Sequence, residues 1–377
     1  MNQKKAADGA VSMSLPDVDE SDIQAVVEVL RSDRLALGPH SEEFERALAD
    51  FVGSRYAIAV SSGTAGLHLI VKVLGIGKGD EVLVPSFTFA ASVNAFLYEE
   101  AIPVFVDIEP DTYNLDPADL ERRITPRTRA IMAVDVFGHP ARWDEILRIA
   151  DKHSLKVIDD SCEALGAEFN GRRLGVFGNA SAFAFYPNKQ ITTGEGGMIT
   201  TDDAEVARLC RSLRNQGRAE MGSWLEHEKL GYNYRMDEMS AALGASQLKR
   251  IDAFLARREL VARRYSELLR EFDWVRPPLV KLRVRMSWFV YVVTLAEGLQ
   301  RDEVMRYMEA QGIPVRGYFS PVHMQPYILE RFGSSVELPV TEAIARRTIA
   351  LPFHNKLSEE QTDRVVATLK DAVDRLR

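Results

Sequence analysis

The 377-residue chain is poor in cysteine, in clustered positive charge and in long apolar runs. Cys162 and Cys210 are too few for a disulfide framework, so we expect a protein of the reducing cytoplasm. A net charge of -8 gives no basic footprint and argues against a nucleic-acid partner. The longest apolar stretch, Trp288–Ala296, is too short to span a bilayer, and Met1–Ser14 has no apolar signal-peptide core. We therefore expect no membrane partner.

Short apolar segments alternate with helical patterns through the first two-thirds of the chain. Strand–helix alternation predicts an α/β protein with a mostly parallel sheet covered by helices on both faces. In such sheets ligands collect at the carboxyl ends of the strands. The predicted buried strands are Tyr56–Val60, Val82–Val84, Val104–Asp107, Ala130–Val134, Lys156–Asp159 and Ser181–Phe185.

The pattern changes near residue 237. Apolar residues recur at helical spacing from Asp237 to about Phe272, which predicts one long helix joining two domains. We place a large domain at residues 1–250 and a smaller α+β domain at residues 251–377. The small domain is predicted to contain a strand at Trp288–Leu295 and a last helix that begins at Ser358, where a capping box ends in Gln361.

Lys189 is the residue most indicative of chemistry. It is the only lysine between Lys156 and Lys229, and it lies between a predicted strand and the glycine-rich turn at residues 194–197. A lone amine on a tight loop in apolar surroundings suits Schiff-base chemistry with a carbonyl group. The alternative is a solvated surface lysine beside a turn.

Further motifs fall where predicted strands end or a helix begins. Ser61–Ala65 opens a helix and suits either an anion or an ordinary N-cap. Asp159–Glu163 could cap a helix or bind a cationic ligand, while Phe87–Phe89 and Gly231–Arg235 could be plain core and loop. Taken with Lys189, these motifs supply an anion cradle, an acid, a ring and an amine. Pyridoxal 5′-phosphate needs that set.

Ordered motifs over nearly the whole chain also resemble one known family. These are Leu37-Gly38-Pro39, Phe44-Glu45, Ser61–Ala65, Gly79–Val82, Pro85–Phe89, Phe137–Pro140, Lys189 with Thr193–Gly197, Gly231–Met236 and Leu351-Pro352. The chain resembles the DegT/DnrJ/StrS sugar aminotransferases, which have the aspartate-aminotransferase fold. The resemblance implies a mostly parallel, seven-stranded type of sheet, a smaller C-terminal α+β domain, and pyridoxal phosphate as cofactor.

The resemblance also implies roles for individual residues. Lys189 matches the Schiff-base lysine, which also shuttles a proton. Asp160 matches the carboxylate on the pyridine nitrogen, and Phe89 matches a ring stacked on the cofactor. Gly63 and Thr64 match the phosphate cradle.

Asn233 matches an asparagine that reaches the phosphate from the partner subunit, which implies a homodimer with shared sites. The chain departs from the family twice. Ala184 stands where the family often has a phosphate-binding serine. Glu163 stands near the phenolic oxygen, where many members have Gln or His. A carboxylate there would repel a phenolate, so we expect Glu163 to be protonated or turned toward another donor.

The resemblance implies transfer of an amino group from L-glutamate to a nucleotide-linked 4-keto-6-deoxyhexose, for a surface polysaccharide or a glycosylated product. The alternatives are amination of a 3-keto sugar or a cyclitol ketone, a sugar dehydratase, and a non-catalytic homologue. The dehydratase relatives have a histidine in place of the lysine, so Lys189 argues against that alternative.

The acceptor is expected among loops around Tyr186 and Tyr318–His323. A diphosphate would need a local basic cluster, either Arg316 beside Tyr318 or the pair Arg214 and Arg218. The alternative is that these arginines form surface ion pairs. His323 is either a substrate ligand or a hydrogen-bonded loop histidine, and we predict no metal site.

Overall fold

The computed structural model describes residues 10–219, 226–333 and 336–377. The segment in which we expected no signal peptide therefore lies largely outside the described residues. The strands are β1 Tyr56–Val60, β2 Glu81–Pro85, β3 Ile102–Val106, β4 Thr128–Val134, β5 Lys156–Asp160, β6 Glu168–Phe169, β7 Arg172–Arg173, β8 Ala180–Ala184, β9 Gly197–Thr201, β10 Val275–Arg276, β11 Val284–Arg285, β12 Tyr291–Leu295 and β13 Thr348–Leu351.

Helices connect and cover these strands. They are α1 Glu20–Leu30, α2 Pro39–Val52, α3 Gly63–Val73, α4 Ala91–Leu97, α5 Pro117–Arg122, α6 Trp143–His153, α7 Ala204–Arg214, α8 Glu238–Leu248, α9 Ile251–Leu269, α10 Arg301–Ala310, α11 Pro326–Phe332, α12 Pro339–Ala345 and α13 Glu359–Leu376, with short 3-10 turns at Val136–Gly138 and Val322–Met324. Among the described residues, none of these helices is both long and apolar enough to cross a membrane.

The central sheet has seven strands in the order β1-β9-β8-β5-β4-β2-β3. Strands β2, β3, β4, β5 and β8 pair in parallel, whereas β9 is antiparallel to both β1 and β8. The mostly parallel sheet that we predicted is therefore confirmed. The sequence pattern did not reveal β9, because this strand follows the glycine-rich turn directly and no helix separates it from β8.

Both faces of this sheet are buried, as alternation along its strands requires. Ile58 and Val84 face one way, into a core shared with α3, α4 and α7. Ala57, Leu83 and Ile131 face the other way, toward α2, α5, α6 and α8. The sheet is thus covered on both sides, and its strand ends remain available for polar residues.

The C-terminal third has its own three-stranded sheet, in the order β10-β12-β13, packed with α9, α10 and α13. Val11 joins the same core, and the N–H of Phe353 donates to the carbonyl of Met13 at 2.9 Å. The segment that contains Val11 and Met13 therefore packs on the C-terminal part of the chain. The division at residues 250 and 251 remains a prediction.

The single long helix that we predicted from Asp237 is wrong. The segment forms two helices, α8 and α9, which are separated at Lys249 and Arg250. Arg250 leaves the helical conformation, with φ -110° and ψ 6°, and its guanidinium pairs with Asp19 and Asp22, the N-cap and a first-turn residue of α1. Apolar periodicity continues across this break, which is why the sequence pattern did not reveal it. The capping box that begins at Ser358 is confirmed.

Candidate active site

A cavity of about 750 Å³ opens at the carboxyl ends of the parallel strands. Its lining includes Gly63 after β1, Phe89 after β2, Asp160 at the end of β5, and Lys189 after β8. The carboxyl ends of parallel strands meet at one edge of the sheet. The segments that follow these strands therefore come together, although they are far apart in the chain. Four of the predicted motifs, Ser61–Ala65, Phe87–Phe89, Asp159–Glu163 and the Lys189 turn, therefore meet in one place, whereas Gly231–Arg235 does not line the cavity.

Lys189 lies at the bottom of the cavity on the tight turn after β8, and only 12% of its side chain is exposed. Its main-chain N–H donates to the carbonyl of Tyr186 at 2.9 Å. Its Nζ atom lies 3.8 Å from the ring centre of Phe289 and 3.9 Å from Oε1 of Glu163. The amine is thus largely shielded from solvent and contacts one ring face and one carboxyl group.

Asp160 ends β5 and is buried. Its Oδ2 accepts a hydrogen bond from Ser92 Oγ at 2.6 Å, and its Oδ1 accepts one from the N–H of Cys162 at 3.2 Å. Thr88 Oγ1 lies 2.8 Å from Ser92 Oγ and continues this chain of hydroxyl groups. A buried carboxylate held in this way can accept a hydrogen bond from a protonated ring nitrogen and stabilise its positive charge.

The cradle at the start of α3 has the shape that a phosphate group needs. Ser62 caps the helix by accepting from the N–H of Ala65. A Cβ atom on Gly63 would lie 2.7 Å from Cβ of Ala184, and one on Gly197 would lie 2.5 Å from the carbonyl of Ser62. Glycine is therefore required at both positions, which keeps the main chain close to the cavity at a helix N-terminus. These residues fit pyridoxal phosphate.

Thr64 also lines the cavity in the first turn of α3. Ala184 lines it as well and brings a methyl group where the family often has a hydroxyl. The small alanine side chain is what lets β8 approach Gly63 so closely.

Glu163 is buried, and burial raises the pKa of its carboxyl group. The N–H of Phe137 donates to Oε2 at 2.9 Å, while Oε1 faces Lys189. We expected Glu163 to be either protonated or turned toward another hydrogen-bond donor. The structure supplies the donor at one oxygen, and the raised pKa favours the protonated form as well.

Two aromatic side chains stand at the mouth of the cavity. Phe89 is 65% exposed and Tyr186 is 52% exposed, although both line the cavity. Tyr318 also lines the cavity and is partly buried. Rings with a free face beside a concave site are available for stacking against a planar ligand.

Other predicted site residues lie outside the cavity lining. Asn233 is exposed and pairs with Asn215 through a β-bridge. Arg316 is exposed and pairs with Glu309 at 3.2 Å, and Arg218 forms a β-bridge with His227. These positions do not contact the cavity within one chain.

His323 and Arg214 also have partners elsewhere in the protein. His323 is buried, its Nδ1 lies 2.7 Å from Ser86 Oγ, and burial lowers its pKa. This geometry favours the hydrogen-bonded alternative over a substrate ligand. Arg214 pairs with Glu45 at 2.5 Å, but the pair is largely buried and is not the surface ion pair that the alternative described.

A pair of buried carboxyl groups lies behind Asp160. Ser161 Oγ lies 2.9 Å from Oδ2 of Asp135 and 2.7 Å from Oδ1 of Asp159. Burial raises the pKa of Asp159 to about 6 and that of Asp135 well above its usual range. Two carboxyl groups that are buried and share one hydroxyl group are not readily ionised together, so the pair retains a proton at moderately acidic pH.

The sequence patterns did not reveal Ser92 and Phe289. Ser92 lies in the first turn of α4, where a serine is common for other reasons. Phe289 falls within the predicted strand Trp288–Leu295, whereas the observed strand β12 begins only at Tyr291. Only the three-dimensional structure brings their side chains to Asp160 and Lys189.

Comparison with known proteins agrees with this geometry. The model of the DegT/DnrJ/EryC1/StrS aminotransferase family matches residues 16–370. The chain is 42% identical over 364 residues to GDP-perosamine synthase of Caulobacter vibrioides, covering 95% of this chain and 97% of that protein. It is 38% identical over 374 residues to the spore coat polysaccharide biosynthesis protein SpsC of Bacillus subtilis, covering 96% of each. The chain therefore belongs to the DegT/DnrJ/EryC1/StrS aminotransferase family.

Solved structures support the same assignment. PseC of Helicobacter pylori, an aminotransferase of pseudoaminic acid biosynthesis, superposes with a TM-score of 0.93 at 28% identity, covering 97% of this chain and all of that one. DesV of S. venezuelae superposes with a TM-score of 0.90 at 34% identity over the same shares. Spr1654 of Streptococcus pneumoniae, solved in a PLP form, superposes with a TM-score of 0.93 at 28% identity, covering 98% of this chain and all of that one. This chain is a pyridoxal-phosphate-dependent aminotransferase.

Proposed function

We propose that the protein transfers an amino group from L-glutamate to a nucleotide-linked 4-keto-6-deoxyhexose. The observation that carries the proposal is the joint presence of Lys189, Asp160 and the Gly63 cradle around one cavity. The 42% identity to a protein named GDP-perosamine synthase supports a nucleotide-linked amino sugar as product. The relative named for spore coat polysaccharide biosynthesis supports a role in making a polysaccharide.

Each side chain has a distinct task in this proposal. Bound pyridoxal phosphate would supply a reactive carbonyl and a ring that accepts electrons. Lys189 would bind that carbonyl through its amine and, once released, carry a proton between the donor carbon and the cofactor carbon. Asp160 would hold the proton of the ring nitrogen through its carboxylate, whose orientation Ser92 fixes. The N–H groups at Gly63 and Thr64 would bind the phosphate.

The charge of the cavity supports a second chain at the site. Within the described residues, Lys189 is the one cationic side chain in the lining, which also contains Asp160, Glu163 and Glu195. A diphosphate-bearing substrate in such surroundings needs positive charge from elsewhere. We therefore propose a homodimer in which each site is completed by the partner subunit, with Asn233 reaching the phosphate across the interface.

Substrate specificity decides between this proposal and its alternatives. A panel of nucleotide-linked and free ketosugars, supplied with L-glutamate and analysed by mass spectrometry, would identify the acceptor. We expect amination of nucleotide-linked 4-keto-6-deoxyhexoses. Efficient reaction of free ketosugars, of 3-keto sugars or of cyclitol ketones would contradict the proposed acceptor, and dehydration without a net amine transfer would contradict the reaction.

Replacing Arg316 and Arg218 separately with Ala tests whether either arginine binds the acceptor. If one of these arginines binds the substrate, its replacement should raise the KM for the acceptor and leave the reaction with glutamate unchanged. Since Arg316 pairs with Glu309 within the chain, no effect at this position would favour the surface ion pair.

A further inference from the structure

Helix α9 carries a buried guanidinium group whose hydrogen bonds go to main-chain carbonyls. Arg258 is 3% exposed. Its Nη1 donates to the carbonyls of Trp288 at 3.0 Å and Phe289 at 3.2 Å, and its Nη2 donates to the carbonyl of Lys189 at 2.9 Å. Nε has no hydrogen-bond partner among the described residues. Burial lowers the pKa of Arg258 to about 10, so the group remains charged at neutral pH.

Such a residue costs stability. A buried cation normally pairs with a carboxylate, because carbonyl groups alone compensate its lost hydration poorly. An apolar side chain would avoid that cost but would leave the carbonyls of Lys189, Trp288 and Phe289 without this donor. The position of Arg258 therefore indicates a requirement beyond packing.

One of the groups that Arg258 holds is the main chain of Lys189. Arg258 binds the main chain of Lys189 and of Phe289, and the ring of Phe289 lies 3.8 Å from the Lys189 amine. One guanidinium group thus fixes both partners of this amine–ring contact. Glu259, the next residue of α9, accepts from Trp288 Nε1 at 2.5 Å and holds the same segment from its other side.

The opposite side of the segment is held as firmly. The N–H of Phe289 donates to the carbonyl of Phe137 at 3.1 Å, and the N–H of Phe137 donates to Glu163. Gln190 Nε2 donates to Ser287 Oγ at 2.9 Å and to the carbonyl of Glu163 at 2.6 Å. The ring and the carboxyl group that face Lys189 therefore belong to one hydrogen-bonded network.

We propose that Arg258 is a positioning residue for Lys189 that acts through Phe289. The guanidinium keeps the ring face against the lysine nitrogen, where a ring stabilises a cation. This arrangement fixes the position of the nitrogen and the direction from which its proton leaves. The proposal rests on the role of Lys189 in the proposed function.

The first test concerns the ring and uses the colour of the holoenzyme. Phe289→Leu removes the ring, and Phe289→Tyr keeps it. We expect the pH midpoint of the visible colour change to fall by at least about 0.5 unit in Phe289→Leu, because the cationic form loses its ring contact. Phe289→Tyr should remain within about 0.2 unit of the wild type. An unchanged midpoint in Phe289→Leu would overturn the role of the ring.

The second test concerns the arginine. We expect Arg258→Met to slow the single-turnover loss of colour with L-glutamate at least about tenfold, and Arg258→Lys to show an intermediate loss. The KM for glutamate should change less than about threefold, since Arg258 is not among the described residues that line the cavity. Arg257→Met is the matched control, because Arg257 directly precedes Arg258 in α9 and its side chain is exposed and pairs with Asp17.

The double variant Arg258→Met/Phe289→Leu distinguishes a positioning role from a purely structural one. If Arg258 acts through Phe289, the two losses of rate should be less than multiplicative. Fully multiplicative losses, or a lower unfolding temperature with an unchanged rate per folded molecule, would overturn the proposal. Failure of the proposed function is separate, because Lys189→Ala would then retain activity.

Discussion

The floor and the mouth of the cavity are built differently. On the floor, Glu163 and Lys189 have side chains exposed by 8% and 12%, and Asp160 is equally enclosed. At the mouth, Phe89 and Tyr186 are more than half exposed. The floor residues are held by hydrogen bonds within the chain, whereas the rings at the mouth have free faces.

This difference shows which part of the reaction a single chain prepares in advance. Preorganised groups on a water-excluded floor are effective because they need no rearrangement during the reaction. An open mouth suits the recognition of varied ligands, or completion by a second copy of the chain. Variants of floor residues should therefore affect the chemical step, and variants at the mouth should affect binding.

The largest effect is expected from Lys189→Ala, which removes the only amine of the floor within the described residues. We expect transamination to be abolished while the fold and phosphate binding remain. Turnover would be measured by mass spectrometry of the aminated product, and folding by circular dichroism. Borohydride should fix the cofactor covalently in the wild type and not in the variant. Retention of most of the turnover would show that the floor has another nucleophile.

Asp160→Asn should have the next largest effect. The variant keeps the shape of the side chain but removes the negative charge that holds the ring proton. A hydrogen bond to a charged group is worth roughly 1.5–3 kcal/mol, so we expect single-turnover reaction with glutamate to slow at least about tenfold. Ser92→Ala is the graded control, because Asp160 keeps its charge and its bond from Cys162. An unchanged rate in Asp160→Asn would mean that this carboxylate only caps the following turn.

The next effect in size is a recovery of activity in a mixture of two variants. It tests the proposal that the mouth is completed by a second chain. Lys189→Ala and Asn233→Ala proteins would be mixed under conditions that allow subunits to exchange. A hybrid dimer carries both defects in one site and leaves the other site intact, so about one quarter of the wild-type activity should return. No recovery after confirmed exchange would indicate that one chain builds the whole site.

Local patterns were sufficient to predict much of the fold and the floor. The strand Tyr56–Val60 was predicted with its observed bounds, because a short apolar run between turns is typical of a buried strand. Lys189 was recognisable as a lone lysine beside a glycine-rich turn, and Asp160 lay in a motif at the end of a predicted strand, with its role implied by the family resemblance. These features depend on residues that are neighbours in sequence.

Features that depend on distant residues could not be predicted. The break between α8 and α9 involves Arg250 and two aspartates more than two hundred residues earlier. Arg258 lies on a helix whose pattern predicts only an exposed or a packed face. Its bond to the Lys189 carbonyl joins residues 69 positions apart. Short-range periodicity contains no information about such pairings.

The smallest effect is expected behind the floor, at the buried pair Asp135 and Asp159. Their raised pKa values mean that the native protein retains a proton that the unfolded chain releases above about pH 3.8. The stabilising contribution of the pair is therefore complete below that pH and is lost as the pH rises through about 6, the pKa of Asp159.

Asp135→Asn removes one ionisable group. Its amide oxygen can still accept from Ala141 N–H and Trp143 Nε1, and its amide nitrogen can donate toward Asp159. We expect the free energy of unfolding of the variant, relative to the wild type, to be higher at pH 8 than at pH 4 by about 1–3 kcal/mol. Urea unfolding at fixed protein concentration would measure this, with the exposed Asp151→Asn as control. A difference between variant and wild type that does not change with pH would show that the pair shares no proton, and that its two carboxylates are both ionised beneath the floor.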